Sequence, residues 1–316
     1  MRKTFVKTLE ELFDQDPKVV LFLGDIGAFL LRNIKQKHPR RFINVGISEA
    51  AMMSAAAGMA LDGWKPFVYT ITPFVTARCF DQIRVGVGYH HANVKIVGVG
   101  SGISYSPLGA THHSFEDTSI MRTIPGITIL APDSPSGTAK AVWQAAKIQG
   151  PVYLRLTLNL SDENRPGKSK KFKAMEVIKH GSRVILVSYG ETVKECVLAA
   201  EKLEAKGIYP TVISINLIKP LSKKLISIIS SSSADYIFSV EEHGIIGGLG
   251  SAISEVLAEM PRGQKPQLLR IGINDEYVEH QGHKHEVYKC LGLDAASIYR
   301  KVMQKCAVRQ PSLIRT

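Results

Sequence analysis

Phe42-Ile43-Asn44-Val45-Gly46-Ile47-Ser48-Glu49-Ala50-Ala51-Met52-Met53-Ser54-Ala55-Ala56-Ala57-Gly58-Met59 is the stretch from which the fold can be read. A short apolar run, Phe42 to Val45, reaches Gly46. Ser48 then stands in the N-cap position before a run of small, helix-favouring residues. From Ala50 to Leu61 only Ser54 is polar, which predicts a helix buried on most sides, since a surface helix carries a polar face. Glu49 is therefore the lone charge at a junction of strand and apolar helix. Two readings stand side by side. The carboxylate favours the helix dipole, an effect of roughly 0.3 to 1 kcal/mol, or it is held in a dry place to share a proton with a bound ring nitrogen.

Outward from this stretch the chain alternates strand-like runs with helical patterns. Strands are predicted at Val19 to Leu23, Phe67 to Ile71, Val94 to Val99, Ile127 to Leu130 and Val152 to Leu156. Helical patterns fall at Thr4 to Phe13, Ala77 to Gly86, Phe115 to Met121 and Pro135 to Ile148. Such alternation predicts an α/β fold with a doubly wound parallel sheet covered on both faces. The polar, basic stretch 161–176 contains Pro166-Gly167 and reads as a linker between a first domain, 1–160, and a second α/β domain, 177–316. In the second, strands are predicted at Val184 to Ser188, Thr211 to Ile215, Tyr236 to Val240 and Gln267 to Ile271, with a helix from Thr192 closed by Gly207. Glu241-Glu242-His243-Gly244-Ile245-Ile246-Gly247-Gly248 leads into a further helix reaching about Met260. Its glycines imply tight turning, and a phosphate cradle is the weaker reading because no P-loop lysine follows.

The composition, 45% hydrophobic and 22% charged over 316 residues, is that of a globular protein with room for two cores. No apolar run approaches the roughly 20 residues of a membrane helix, and the basic N-terminus is interrupted by Lys7, Glu10 and Glu11 before a signal-type apolar segment develops, so a cytoplasmic location is expected. The four cysteines have no Cys-x-x-Cys spacing and are expected to be reduced thiols without a metal. The net charge of +12 is divided evenly between the two halves, and no zinc-finger spacing or aromatic-basic interleaving accompanies it. Anionic small substrates or an acidic partner subunit account for the charge as well as nucleic acid would.

The Gly46-Ile47-Ser48-Glu49-Ala50 motif with its Ala-rich helix, followed by Asp62-Gly63-Trp64-Lys65-Pro66-Phe67, resembles the pyrimidine-binding domain of transketolase and its thiamine diphosphate-dependent relatives. The likeness runs from about Leu23 to Leu158, and from about Gly181 to Ile298 the chain resembles the family's C-terminal domain. The resemblance implies that Glu49 bonds the cofactor's aminopyrimidine ring and activates it, and that Ile47 and Asp25 are cofactor contacts; from the residues alone, Asp25 in Gly24-Asp25-Ile26-Gly27 also reads as a turn residue. It implies that Phe74, or else Phe80, packs on the pyrimidine. In Gly109-Ala110-Thr111-His112-His113 it implies that His112 handles protons beside the substrate, with His113 a second substrate contact. Arg155, at the end of the Val152 to Leu156 run, is expected to bind the anionic end of the sugar.

Two departures from the family pattern stand out. Where common transketolases have His-Asp and a further acidic residue, this chain has Gly100-Ser101 and Leu108, so the groups that hold sugar hydroxyls and phosphate differ. The Gly-Asp-Gly motif and following Asn that hold diphosphate and Mg²⁺ are also missing, Gly24-Asp25-Ile26 being a different sequence. The resemblance thus implies the C-terminal subunit of a split transketolase. A separate N-terminal, diphosphate-binding subunit would complete the thiamine diphosphate and Mg²⁺ site, in an assembly of two plus two chains acting on a sugar or sugar phosphate. The rival readings are the beta subunit of a 2-oxoacid dehydrogenase-type enzyme, a 1-deoxyxylulose-5-phosphate synthase-like activity, and a non-catalytic regulatory subunit.

Overall fold

The computed structural model describes residues 1–158, 171–261, 265–280 and 282–307. Twelve strands are described: β1 (Val19–Leu23), β2 (Phe42–Asn44), β3 (Lys65–Ile71), β4 (Lys95–Val99), β5 (Thr128–Leu130), β6 (Val152–Leu156), β7 (Met175–Lys179), β8 (Val184–Ser188), β9 (Thr211–Ile215), β10 (Leu217–Lys219), β11 (Tyr236–Gly244) and β12 (Gln267–Ile273). They form a seven-stranded sheet, β10-β5-β6-β4-β3-β1-β2, and a five-stranded sheet, β12-β11-β8-β9-β7. All pairings are parallel except β10 with β5 and β7 with β9. The predicted α/β class, with two mainly parallel sheets flanked by helices, is what the chain adopts.

β1, β4 and β6 are buried at every position, as strands covered on both faces must be. Alternate residues of β1 serve opposite faces. Val20 and Phe22 pack toward Met52, Met53 and Ala56, whereas Val19, Leu21 and Leu23 pack with Phe5, Leu9 and Phe13 of the helix Arg2–Gln15 and with Ala141 and Val142. Most of the expected linker, 161–176, lies outside the described residues; at its end, Met175 and Glu176 already belong to β7. No helix among the described residues is long and apolar enough to cross a membrane.

Two local expectations are corrected. The helix Glu49–Leu61 is buried on one face only: Glu49, Met52, Met53, Ala56, Ala57 and Ala60 point inward, while Ala51, Ser54, Ala55, Gly58 and Leu61 are exposed. A parallel sheet covers one side of a helix, and nothing else among the described residues reaches the other. The helix expected over Ala77 to Gly86 is instead a short turn of helix, Thr72–Val75, followed by a π-helix, Gln82–Tyr89. Gly86 and Gly88 lower helical preference there.

Candidate functional site

In a parallel α/β sheet the loops after the strands converge at the carboxyl edge, where ligands bind. Glu49 follows β2, Phe74 follows β3 and His112 follows β4, so topology alone brings three distant expected residues to one edge. Their side chains form a continuous series. Arg78 Nη1 donates to Glu49 Oε2 at 2.8 Å, and the Arg78 guanidinium lies over the Phe74 ring, 4.5 Å from its centre. The Phe74 ring meets His112 edge-on at 5.4 Å, and His112 in turn meets Tyr105 at 5.8 Å. Glu49 is 2% exposed while its partner Arg78 is 48% exposed, so the pair spans from dry interior to surface. Ser48 occupies the N-cap position without a side-chain hydrogen bond to the helix.

The backbone around Glu49 is kept clear. A Cβ on Gly24 would lie 3.0 Å from Thr70 and 3.6 Å from Glu49 Cγ, and the Thr70 hydroxyl is buried without a hydrogen-bond partner. Phe80 packs against the hydrophobic core, leaving Phe74 as the aromatic in contact with this series. Ile47 is 80% exposed beside Glu49. Asp25 adopts a left-handed conformation with φ of 49°, and its Oδ1 accepts a 2.9 Å hydrogen bond from Asn44, whose own Oδ1 accepts from the Gly46 N–H. That supports turn organisation for Asp25.

Two expected substrate residues are placed elsewhere. Arg155 is 3% exposed. Its Nε donates to Asp117 Oδ2 at 2.8 Å and its Nη2 to the Glu242 carbonyl at 2.9 Å, so the guanidinium ties the two halves together rather than facing a substrate. The physical reason is its place inside a fully buried strand, where a charge persists only with a partner. Burial pushes the Asp117 carboxyl up, but Arg155, His243 and a hydrogen bond from Tyr153 outweigh it and hold the carboxyl below the usual range.

His113 turns away from His112. It is 4% exposed, packs against Phe115 and lines a cleft of about 590 Å³ whose walls include Ile245, Ile273 and Tyr277 but not Glu49, Phe74 or His112. Burial lowers its pKa; the Ser106 backbone pulls the other way, yet neither ring nitrogen has a well-formed hydrogen bond. A folded pKa below the unfolded value of about 6.5 means that the unfolded chain binds the proton better, so stability falls as the pH drops below about 6.5. Thermal unfolding measured between pH 7 and 5 is expected to show this loss, and His113→Phe is expected to reduce the slope. An unchanged slope would mean that the ring is solvated in the native state.

Arg78 was not among the expected residues: it lies in the turn that follows the helix Thr72–Val75, where no helical spacing marks it. The second half of the chain contributes Glu242. Its Oε1 accepts from the Ile103 N–H at 2.8 Å and from Lys284 Nζ at 3.1 Å, and its carboxylate sits so close to Gly102 that a Cβ there would lie 2.4 Å away. The loop bearing His112 is thereby clamped against β11. Glu242→Ala is expected to raise hydrogen exchange in the segment 101–113 about tenfold or more, with Glu242→Gln closer to wild type; equal exchange in all three chains would refute the clamp. Neighbouring Glu241 accepts hydrogen bonds from the Leu249 and Gly250 N–H groups, so the helix N-terminus after the glycines is capped by the chain's own carboxylate, in line with a structural reading of that segment.

Comparison with known proteins now bears on this arrangement. The model of the transketolase pyrimidine-binding domain matches residues 1–162, and that of the transketolase C-terminal domain matches 173–298. The chain belongs to the transketolase family. It is 34% identical over 309 residues to a putative transketolase C-terminal section of Methanocaldococcus jannaschii, covering 96% of each chain. It is 38% identical over 270 residues to an apulose-4-phosphate transketolase subunit of Actinobacillus succinogenes, covering 83% of this chain and 84% of that one. Among solved structures, a split gene transketolase described as an inactive beta4 tetramer superposes with a TM-score of 0.85 at 31% identity, covering 98% of both chains. The transketolase chain thus corresponds to the C-terminal subunit of a transketolase-like enzyme, and thiamine diphosphate is the cofactor that this family implies. The residues present fit its aminopyrimidine. Glu49 offers a buried carboxylate with Oε1 unengaged among the described residues, and Phe74 offers an aromatic face nearby.

Proposed function

We propose that this chain is the pyrimidine-binding subunit of a split, thiamine diphosphate-dependent transketolase. Together with a diphosphate-binding partner it transfers a two-carbon ketol unit from a ketose to an aldehyde. The observation that carries the reading is the buried Glu49 carboxylate at the sheet's carboxyl edge, in line with Arg78, Phe74 and His112. Thiamine diphosphate supplies, when bound, the nucleophilic carbon and the electron sink for breaking and remaking a carbon–carbon bond beside a carbonyl. Glu49 would hold and exchange a proton with the ring nitrogen, Phe74 would pack on the ring, and His112 would move protons at the sugar hydroxyl and carbonyl oxygens.

Among the described residues no group of three histidine, cysteine, aspartate or glutamate side chains is placed to hold a metal ion. Mg²⁺ and the diphosphate are assigned to the partner, in a cytoplasmic assembly of two plus two chains. The exposed Ile47, Phe29, Leu61 and Leu108, together with the small-residue face of the helix Glu49–Leu61, support a covered surface here. Names of the relatives support the partner and the substrate class: one is a C-terminal section, the other a transketolase subunit named for a sugar phosphate.

Titration calorimetry tests the reading. Thiamine diphosphate with Mg²⁺ is expected to bind only when this chain is mixed with its diphosphate-domain partner. Tight binding by this chain alone would overturn the split site, and turnover with pyruvate releasing CO₂ in place of ketol transfer would move the assignment to a decarboxylating relative.

A further inference from the structure

The loop that joins β4 to the helix Asp117–Arg122 carries His112. Its base is tied to the first sheet, where the Ser101 N–H donates to the Leu156 carbonyl at 3.0 Å and Ser101 Oγ lies 3.0 Å from Thr72 Oγ1. Beyond that point the loop is folded onto the second half of the chain. The Ile103 side chain is buried in the core built by Val184, Leu186, Val240 and Val287, and its N–H donates to Glu242. Three residues on, Ser106 Oγ donates to the Gly282 carbonyl at 2.7 Å. The short 3-10 helix Ser106–Thr111, which ends at His112, therefore starts from a residue anchored to the segment 282–284.

The same segment supplies the charge that holds Glu242. Lys284 Nζ lies 3.1 Å from Glu242 Oε1 and 2.5 Å from Glu191 Oε2, and 5.2 Å from the centre of the Tyr288 ring. The Glu242 side chain is 2% exposed, and its Oε2 is buried without a hydrogen-bond partner. Among the described residues, Lys284 is the cation paired with that carboxylate. Burial pulls the Lys284 pKa down, but Glu242 and Glu191 outweigh it and hold the ammonium above its ordinary range. Without Lys284, Glu242 would be a buried anion stripped of its partner, drawn toward water and away from the Ile103 N–H.

We propose that Lys284 is a positioning residue for ketol transfer: by holding Glu242 it seats Ile103, and with it the loop that presents His112 to the substrate. The proposal rests on the transketolase reading, and it gives the second half of the chain a part in the chemistry without contact with the reacting atoms. Glu49 and Phe74 stand on other loops, so the cofactor side of the site is independent of Lys284. A displacement of about 1 Å in a proton-handling group costs on the order of a hundredfold in rate.

Lys284→Met in the assembled enzyme is expected to lower kcat about ten- to hundredfold, with KM for the ketose and the calorimetric affinity for thiamine diphosphate changed by no more than about twofold. Adding Glu242→Gln is expected to restore most of the rate, because the amide oxygen still accepts from the Ile103 N–H and no buried anion is left. An unchanged kcat, a loss shared by cofactor affinity, or a double variant no faster than Lys284→Met would overturn the assignment while leaving the transketolase reading intact. Absence of ketol transfer in wild type would instead overturn that reading, and Lys284 is then judged on the chain alone by hydrogen exchange. Exchange in the segment 101–113 is expected to rise about tenfold in Lys284→Met and to return toward wild type in the double variant, while β1 and β3 keep their protection. Equal exchange in that segment across the three chains, or a loss of protection that extends to β1 and β3, would overturn the positioning role.

Discussion

Glu49→Gln in the assembled enzyme is expected to lower ketol transfer about 10³-fold or more, the range in which positioned acid–base groups act. The substitution is nearly isosteric, and the side chain is 2% exposed, so packing of the helix Glu49–Leu61 against the sheet should survive. What is lost is the ability to hold a proton. An amide neither accepts a proton from a ring nitrogen nor returns it. The ion pair with Arg78 is also lost, but Arg78 is half exposed and water can replace the carboxylate, so the chain should remain folded by circular dichroism. Full activity in Glu49→Gln would make the chain a non-catalytic subunit, with all chemistry in its partner. A large loss that Arg78→Met does not reproduce would separate proton exchange from charge pairing.

The largest loss of stability is expected at Asp117. Its carboxylate accepts from Arg155 at 2.8 Å and from Tyr153 at 2.6 Å, and His243 Nε2 lies 3.9 Å away, all in the interior. Asp117→Ala would leave the Arg155 charge buried with only a carbonyl partner, a defect that costs about 3–5 kcal/mol in comparable sites. A fall in Tm of roughly 6–15 °C follows. Replacing both members by apolar residues, Asp117→Leu with Arg155→Met, should recover most of this, because a buried pair gains little over good packing. If the double variant were as unstable as Asp117→Ala, the pair would be needed for docking the second half of the chain rather than for balancing charge. A fall in Tm below about 2 °C for Asp117→Ala would show that water reaches the site.

Most of the first sheet was legible because its strands are short, mostly apolar and separated by helical patterns. The runs at Val19 to Leu23, Phe67 to Ile71 and Val152 to Leu156 coincide with β1, with most of β3 and with β6. β7 and β10 were not legible: both lie at sheet edges, where one side of the ladder is open and polar residues such as Glu176 and Lys219 are admitted. Glu49, Phe74 and His112 were singled out through motif, and the order of parallel strands explains why they meet at one edge of the sheet. Arg155 was misread because a local pattern shows a charged residue in a strand but not the carboxylate 38 positions away that receives it. Glu242 reaches the site region only through tertiary packing, against Gly102, and no spacing rule links such positions.

The strand Leu217–Lys219 leaves the second half of the chain to pair antiparallel with Leu130 and Ile129 of the first sheet. The two halves are consequently not independent modules, although a domain model matches each. A gene break after residue 158 would strip β5 of its outer neighbour and bare an apolar edge ready to pair with another molecule. A fragment of residues 1–158 is therefore expected to aggregate when produced alone. For this chain, fission between the sheets is a cut that its own strand order forbids.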